Sequence, residues 1–370
     1  MSARFLTVVL ERAFNMRDGF GREIDYMRIS VIDSCNLNCY YCNPCDNNEH
    51  CHALNILSVK EVLCIVRAAT RLGIKHFRLT GGEPLLHPQL DEMVLQIKKI
   101  PGVSSVSLTT NAVLLAQHAK WLKEAGIDSI NVSLDTIDAS EYERITKKPL
   151  LEEVKHGINA AIECGIRVKI NVVLTTQTDV VALTRYVAKK GTDIRFIEMM
   201  PVGEGHTNGV EPYKKVIGTL SKLYGEPCRI NTEKTKEINS GNDKRKIPDN
   251  GPAEYYIFPE LGIRVGLIQA IHGKFCATCN RIRVTADGRL MPCLGSSVTM
   301  DLVPDSWDFA DDVEKDFAIV RALRAAIKAK PRCHNFNDNA VTYTKTTETK
   351  TTEIEAAEVN AARNMSRIGG

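Results

Sequence analysis

Three cysteines lie close together in the segment Cys35-Asn-Leu-Asn-Cys39-Tyr-Tyr-Cys42. Cysteine thiolates bind zinc and iron–sulfur clusters, and this segment supplies three of them. A structural zinc site closes with four ligands, whereas a four-iron cluster held by three thiolates leaves one iron open to a molecule that reacts. The spacing therefore indicates a metal centre that could carry out chemistry.

Two further cysteines leave other interpretations of this first triad open. Cys45 and Cys51 follow it, and either could supply a fourth thiolate. The result would be a closed zinc site or an electron-transfer cluster of the ferredoxin kind. The segment alone does not decide among these sites.

A second triad lies nearer the C-terminus, where Cys276-Ala-Thr-Cys279 is followed by Cys293. It again offers three thiolates, and His272 as a fourth ligand would make it a zinc site instead. Isolated cysteines are usually small buried apolar residues, which is our expectation for the others outside these segments. They are Cys64, Cys164, Cys228 and Cys333.

A glycine pair occurs in the segment Thr80-Gly81-Gly82-Glu83-Pro84, between a predicted strand and a predicted helix. It could simply form a turn, because glycine allows positive φ and proline starts helices. Alternatively, the glycines let a ligand approach the backbone, and Glu83 accepts hydrogen bonds from an ammonium group of that ligand.

We single out five cationic residues on predicted strands, where a charge is costly unless it faces a pocket or a partner. Arg281 and Arg283 lie two positions apart, so both side chains share one face of a strand and could grip phosphate oxygens. Ion pairs on a solvated face are the alternative for any one of them. The five are Arg28, Arg78, Lys169, Arg281 and Arg283.

The composition excludes several classes of protein. The 48 basic and 45 acidic residues give a net charge of +3, which does not indicate a nucleic-acid partner. With 44% hydrophobic residues and no long apolar run, we expect a globular chain without a membrane span. Twelve cysteines without a secretory signal favour a reducing compartment, the cytoplasm. Residues 1–22 could instead be a mitochondrial transit peptide, which Glu11 and Asp18 argue against.

Short β-rich runs alternate with helical patterns from Tyr26 onward, which predicts β-α units and a parallel sheet. The predicted strands are 27–32, 76–80, 103–110, 129–134, 167–174 and 193–198; the predicted helices are 58–72, 89–99, 115–125, 151–164 and 180–189. Six units predict an α/β fold, a partial (β/α)6 TIM-like barrel whose loops after the strands form one pocket. The first triad follows the first strand.

The alternation ends after Gly203. Segments 254–258, 263–268 and 281–285 are predicted to be antiparallel strands that cover the open side of the barrel. We therefore expect a barrel with the first triad (1–203), a C-terminal α+β covering segment with the second triad (204–335), and a low-complexity linker with a diglycine tail (336–370).

Together, these motifs resemble a known superfamily. The first triad followed by the Gly81–Pro84 segment is typical of radical S-adenosylmethionine (SAM) enzymes. Further motifs narrow the resemblance: Phe20-Gly21-Arg22, residues 27–31, Thr109-Thr110-Asn111, residues 131–135, residues 195–198, residues 275–283 and Gly369-Gly370. The chain thereby resembles the MoaA family, the GTP 3′,8-cyclases of molybdenum cofactor biosynthesis, over residues 16–303 and 365–370.

This resemblance implies specific roles. Cys35, Cys39 and Cys42 would hold a [4Fe-4S] cluster that binds SAM, and Cys276, Cys279 and Cys293 would hold a second [4Fe-4S] cluster that binds the guanine of GTP. The residues implied to contact SAM are Tyr41, Gly82, Ser133 and Met200. Those implied to contact GTP are Arg28, Arg78, Thr109, Lys169, Arg281 and Arg283. Catalytic candidates are Arg28, Gly369 and Gly370, the last two as a tail that enters the barrel.

The implied reaction is radical cyclisation of GTP. A 5′-deoxyadenosyl radical would remove hydrogen from C3′ of the ribose, and attack on C8 would give 3′,8-cyclo-7,8-dihydro-GTP. A cyclic pyranopterin monophosphate synthase would take the product, and a flavodoxin or ferredoxin would supply electrons. A homodimer is a further expectation. The rival functions are a radical SAM enzyme that modifies peptides and a zinc-bearing interaction protein.

The chain departs from the family pattern at two positions. Ser34 stands where an arginine is usual, which could lower the reduction potential of the first cluster. Ala112 stands where a glycine is usual. Cys45 and Cys51 are additional, and our hypothesis is that neither binds metal.

Overall fold

The computed structural model describes residues 16–42, 55–202, 205, 209–230, 251–296, 298–302, 312–334 and 336. The strands are β1 (Tyr26–Ser30), β2 (His76–Thr80), β3 (Ser105–Thr110), β4 (Ser129–Ser133), β5 (Val168–Leu174), β6 (Asp193–Glu198), β7 (Cys228–Arg229), β8 (Glu254–Ile257), β9 (Arg264–Ile268), β10 (Arg281–Val284), β11 (Arg289–Met291) and β12 (Met300–Asp301). The helices are α1 (Val59–Arg71), α2 (Leu90–Lys98), α3 (Leu115–Glu124), α4 (Ala139–Thr146), α5 (Leu151–Glu163), α6 (Val180–Lys189), α7 (Gly218–Tyr224) and α8 (Asp312–Lys328).

All six predicted barrel strands are confirmed, each within a few residues of its expected bounds. They pair in chain order and in parallel from β1 to β6. Successive side chains of a strand point to opposite faces of the sheet. In β1, Met27 and Ile29 are fully buried on the face that the helices cover, while Tyr26 and Arg28 line the interior of the barrel. The interior of this barrel is therefore polar and its outer face apolar.

The C-terminal strands extend the barrel instead of forming a separate antiparallel cover. β9 pairs in parallel with β6, and β10 pairs in parallel with β1. Our prediction that 263–268 and 281–285 are antiparallel strands is wrong for these edges. Each strand does pair antiparallel on its other edge, β9 with β8 and β10 with β11. A local pattern does not reveal which distant strand will be the neighbour.

The sheet is an open arc in the part of the chain that the structure describes. Its order is β12-β11-β10-β1-β2-β3-β4-β5-β6-β9-β8-β7. The parallel row therefore runs from β10 to β9 and ends on both sides in short antiparallel ribbons. The fold class, a partial barrel with a C-terminal segment, is confirmed. The expected division at residue 203 stays a prediction, and nearly all of 336–370 lies outside the described residues.

The helices cover the outer face of the arc. Helix α1 begins with a capping box, in which Ser58 and Glu61 satisfy each other's backbone N–H groups, and buries Val62, Ile65 and Val66 against the sheet. Helix α8 packs on α1, and Arg71 pairs with Asp316 at 2.8 Å. The C-terminal segment thus returns to the first β-α unit. No helix among the described residues is long and apolar enough to cross a membrane.

Helix α4 was not predicted, although its sequence carries a start signal. The Asp138 side chain accepts a hydrogen bond from the Glu141 backbone N–H at 2.8 Å, and the helix ends at Lys147, whose φ is +60°. The helix has only eight residues, of which Tyr142, Ile145 and Thr146 are buried, so the segment shows little periodicity to detect. Its position matters, because it contacts the loop of the first triad.

Candidate active site

One cavity lies inside the barrel, with a volume of about 390 Å³. All sixteen predicted site residues that the structure describes line it. They are Cys35, Cys39, Cys42, Cys276, Cys279, Cys293, Tyr41, Gly82, Ser133, Met200, Arg28, Arg78, Thr109, Lys169, Arg281 and Arg283. The remaining two, Gly369 and Gly370, lie outside the described residues, as do Cys45 and Cys51.

The loop of the first triad rests on the glycine pair after β2. The Gly82 backbone N–H donates to the Ile32 carbonyl at 2.7 Å, and the Glu83 backbone N–H donates to the Ser34 carbonyl at 2.8 Å. A Cβ at Gly81 would lie 2.4 Å from the Ile32 oxygen, and one at Gly82 would lie 2.2 Å from the Ser34 oxygen. The close approach that requires glycine is therefore that of the cysteine loop itself.

The carboxylate of Glu83 has a structural role, which disfavours the alternative in which it accepts hydrogen bonds from a ligand ammonium group. It is 1% exposed and accepts hydrogen bonds from Thr110 Oγ1 at 2.6 Å, the Asn111 backbone at 2.7 Å and the Leu85 backbone at 3.0 Å. Burial raises the pKa of Glu83 to about 7, although these hydrogen bonds oppose the shift. Glu83 joins the loops after β2 and β3.

Helix α4 and the β4–β5 region hold the other side of the first triad. The Asn38 backbone N–H donates to the Thr146 carbonyl at 3.0 Å. The Tyr41 hydroxyl donates to Asp135 Oδ2 at 2.5 Å, and the other Asp135 oxygen accepts from the Val173 backbone N–H at 2.8 Å. Tyr41 is thereby fixed between Cys39 and Cys42 along the chain.

The surroundings of the first triad disfavour free thiolates. Burial raises the pKa of Cys35 to about 11 and that of Cys42 to about 12, and it raises the pKa of Cys39 well above its usual value. Glu83 and Asp135 add to these shifts. A bound metal offsets this cost, because thiolates ionise when they coordinate. Asn111 Nδ2 lies 3.8 Å from the Cys35 sulfur as a donor.

The second triad has cationic neighbours. Burial alone would raise the pKa of Cys279, but Lys330 and Arg281 lower it below its usual value. For Cys293, burial raises the pKa although Lys330 opposes it. Arg22 supports Cys276 from behind, because its Nη1 donates to the Cys276 carbonyl at 2.7 Å. Two buried cations therefore support this triad.

Both triads fit clusters that have one open iron. Each presents three cysteines that are not in disulfides, all on the wall of the same cavity. Among the described residues, no three His, Cys, Asp or Glu side chains are arranged to share a single metal ion. In a cubane, three thiolates need not share one ion, because each binds a different iron.

His272 does not join the second triad. Its Nδ1 atom hydrogen-bonds to Glu198, whose carboxylate also accepts from the Ile271 backbone N–H at 2.7 Å, and His272 does not line the cavity. The zinc alternative with His272 as the fourth ligand is therefore set aside. Of the isolated cysteines, Cys64 is buried as expected.

Two isolated cysteines do not fit our expectation of burial. Cys228 lies on the two-residue edge strand β7 and Cys333 follows α8, and both are exposed. A residue on a short edge strand or in a connection has few neighbours that could bury its side chain. Cys164, at the end of α5, is only partly buried.

Three arginines form a row across adjacent strands. Arg283 on β10 is level with Arg28 on β1, which is level with Arg78 on β2. Burial and the neighbouring arginines lower the pKa of Arg28 well below its usual value and that of Arg283 to about 10. Arg78 Nε donates to the Tyr26 hydroxyl at 2.5 Å. Such a row is a site for a multiply charged anion.

The other predicted cationic contacts lie around this row. Arg281 lies over the Tyr26 ring at 5.6 Å, and Lys169 lies over the Tyr255 ring at 5.8 Å. Thr109 accepts from Arg78 Nη1 at 3.4 Å. The cationic wall thus extends over several strands of the barrel.

Several polar residues of the wall were missing from our candidate set, among them Arg195 and Asn131. Arg195 on β6 is 4% exposed, its Nε donates to Asn171 at 3.0 Å, and its Nη2 atom has no partner among the described residues. Asn131 on β4 is 5% exposed, with its Oδ1 atom likewise without a partner there. The rule that selected the other cations, a charge on a predicted strand, applies equally to Arg195.

Ser34 and Ala112 occupy positions that the structure explains in part. Ser34 is exposed and uses its backbone carbonyl to hold Glu83. Ala112 is fully buried with φ +64°, a conformation that favours glycine.

Comparison with known proteins gives consistent matches along the chain. The family model of the radical SAM superfamily matches residues 29–181, and that of Molybdenum Cofactor Synthesis C matches residues 192–336. The GTP 3′,8-cyclase of Clostridium perfringens is 35% identical over 324 residues, which cover 87% of this chain and 95% of that protein. The GTP 3′,8-cyclase of Peptoclostridium acidaminophilum is 37% identical over 328 residues, covering 87% and 94%.

A solved structure shows the same fold at much lower identity. Streptococcus suis SuiB bound to its precursor peptide SuiA is 13% identical, with a TM-score of 0.54 over 98% of this chain and 73% of that chain. At this identity the likeness concerns the fold alone, and it does not favour a peptide substrate.

Proposed function

Because the chain belongs to the GTP 3′,8-cyclase family of radical SAM enzymes, we propose that its two cysteine triads hold the two [4Fe-4S] clusters of that reaction. Cys35, Cys39 and Cys42 bind the cluster that takes SAM. Cys276, Cys279 and Cys293 bind the cluster that takes the guanine of GTP. The observation that carries this proposal is that both triads and the arginine row line one cavity.

The reaction converts GTP to 3′,8-cyclo-7,8-dihydro-GTP, the first step of molybdenum cofactor biosynthesis. When bound, the first cluster and SAM supply a 5′-deoxyadenosyl radical that removes the C3′ hydrogen of GTP. Because the chain belongs to this family, we set aside both rival functions, the peptide-modifying enzyme and the zinc-bearing interaction protein.

The arginine row binds the triphosphate in this proposal. Arg28, Arg78 and Arg283 stand level on three strands, and Arg281 lies on the same face of β10. Guanidinium groups pair with phosphate oxygens in a bidentate manner, and the bound charge offsets the mutual repulsion of the row. Thr109 and Lys169 complete the predicted set, to which the structure leads us to add Arg195.

SAM lies near the first triad in this proposal. Tyr41, Gly82, Ser133 and Met200 contact it, and Asp135 positions Tyr41 through its hydroxyl. The cluster loop already occupies the space above Gly82, which limits how SAM can approach. The two proposed cluster sites share one cavity, so SAM and GTP would be held near each other and the reacting atoms would meet without solvent between them.

Catalysis beyond binding is assigned to Arg28 and to the tail, Gly369 and Gly370. Side-chain-free backbone can approach other groups closely, which suits a tail that enters the barrel. Deletion of both glycines should abolish product formation while both clusters remain bound. Unchanged turnover would contradict this role.

The cellular context is also proposed. The described cysteines are free thiols, which suits a reducing compartment, and we assign the chain to the cytoplasm. A flavodoxin or ferredoxin would supply electrons, and cyclic pyranopterin monophosphate synthase would take the product. We further propose a homodimer, and a boundary near residue 203 between the barrel and its C-terminal segment.

Anaerobic reconstitution with iron and sulfide tests the proposal. About eight irons should bind per chain, four to each triad. Incubation with GTP, SAM and a reductant should then give 5′-deoxyadenosine and a cyclised GTP product in equal amounts. Formation of 5′-deoxyadenosine without a GTP-derived product would contradict the substrate assignment.

A further inference from the structure

Lys330 is a buried lysine beside the second triad, and the roles assigned above do not include it. It lies just after α8, is 2% exposed and lines the cavity. Burying an ammonium group is costly unless its donors are satisfied and a negative charge lies nearby. The contacts of this side chain therefore indicate what it is for.

Two of its hydrogen bonds connect the backbone segments that carry the triad. Lys330 Nζ donates to the Arg281 carbonyl at 2.7 Å and to the Pro292 carbonyl at 2.9 Å. Arg281 lies two residues after Cys279, and Pro292 immediately precedes Cys293. One ammonium group therefore ties together the backbones next to two of the three cysteines.

The ammonium group also acts on the sulfur atoms. The positive charge of Lys330 lowers the pKa of Cys279. Its charge acts on Cys293 as well. At the first triad the charged side chains that contribute most, apart from the cysteines themselves, are acidic: Glu83 and Asp135.

We propose that Lys330 positions the second cluster and raises its reduction potential. Its two carbonyl contacts hold Cys279 and Cys293 at a fixed separation, which slows the loss of iron. Reduction adds negative charge to a cluster, and a fixed positive charge nearby stabilises the reduced form. This inference rests on the proposed assignment of a [4Fe-4S] cluster to the second triad.

The experiment uses the full chain with Cys35, Cys39 and Cys42 changed to serine, so that only the second cluster forms. In this parent, Lys330→Met should release iron to a chelator at least about tenfold faster and should have a lower midpoint potential in a redox titration followed by EPR. Lys328→Met is the matched control, because Lys328 is exposed two residues away and carries the same charge. It should leave both measurements unchanged.

A second variant distinguishes the loss of the positive charge from misfolding of the chain. Lys330→Gln keeps an N–H donor for a carbonyl but loses the charge, so its midpoint potential should still fall. An unchanged potential in Lys330→Gln, or equal iron release from Lys330→Met and Lys328→Met, would overturn the role of Lys330 alone. A parent that binds no iron would overturn the cluster assignment at the second triad, and the role of Lys330 with it.

Discussion

The loops of the two cysteine triads differ in what supports their backbones. The first loop lies on Gly81 and Gly82, so close that any side chain there would collide with it. The second is held by cationic side chains, Arg22 on one carbonyl and Lys330 on two others. At the first loop, any side-chain atom added to Gly81 or Gly82 would collide with the loop backbone. At the second loop, substitution of Arg22 or Lys330 can remove the charge or the hydrogen bonds separately.

The charges around the two triads differ as well. Burial and acidic neighbours raise the pKa values of all three cysteines in the first triad, whereas Lys330 and Arg281 lower the pKa of Cys279. A positive environment suits the role proposed for this site, which is to receive an anionic nucleotide. The comparison teaches that a cysteine triad is assigned by its neighbours as much as by its spacing.

Among the changes that test this comparison, loss of one triad should have the largest effect on iron content and activity. Cys39→Ser and Cys279→Ser should each reduce iron from about eight to about four per chain. We expect Cys39→Ser to lose cleavage of SAM, and Cys279→Ser to lose cyclisation of GTP. Iron analysis and product chromatography check this. Equal loss of SAM cleavage in both variants would show that the triads do not have separate roles.

Gly82→Ala should disrupt only the first triad. A Cβ would lie 2.2 Å from the Ser34 carbonyl oxygen, so the loop must move, at a cost of about 1–3 kcal/mol or more. Urea unfolding and iron analysis should show lower stability and loss of about half the iron. Gly218→Ala is the control, because a Cβ at that helical position meets nothing within 4 Å. Full iron in Gly82→Ala would contradict this account of the loop.

Arg283→Ala should weaken binding of the triphosphate. A hydrogen bond to a charged group contributes about 1.5–3 kcal/mol, so the dissociation constant for GTP should rise by about 10- to 100-fold. Binding of guanosine, which has no phosphates, should change little. Calorimetry with both ligands separates the two effects, and an equal loss for both would mean that Arg283 does not act on phosphate.

Glu83 should make stability depend on pH. Between about pH 4.5 and 7, the folded carboxyl retains a proton that the unfolded chain has lost, because burial raises its pKa to about 7. Stability attributed to this group should therefore fall as the pH rises through that window, by about 3 kcal/mol. Urea unfolding of the metal-free chain should show a flatter profile for Glu83→Gln. An identical slope in both chains would contradict the assignment.

Ala112→Gly should have the smallest effect. A left-handed alanine costs about 1–2 kcal/mol, but glycine loses a buried methyl and has more freedom when unfolded. These terms nearly cancel, so the free energy of unfolding should change by less than about 1 kcal/mol. Urea unfolding checks this, and a loss above about 2 kcal/mol would show that the buried methyl is essential to the loop after β3.

Much of the barrel could be predicted from local alternation, because a strand with one polar and one apolar face has a period that the sequence displays. The parallel pairing of β9 and β10 could not, since their partners are distant in the chain. The structural role of Glu83 could not be decided from the sequence, because a buried carboxylate that accepts from backbone N–H groups and a carboxylate that binds a ligand are the same residue type. Lys330 gave no signal, because it lies beyond a helix end without a periodic context.

The most direct test of separate roles for the triads is EPR of two full-length variants, one lacking the first triad and one lacking the second. In the reduced state, GTP should change the spectrum of the variant that keeps Cys276, Cys279 and Cys293, and SAM should change only that of the variant that keeps the first triad. A spectrum of the second cluster that responds to SAM and not to GTP would contradict the central claim.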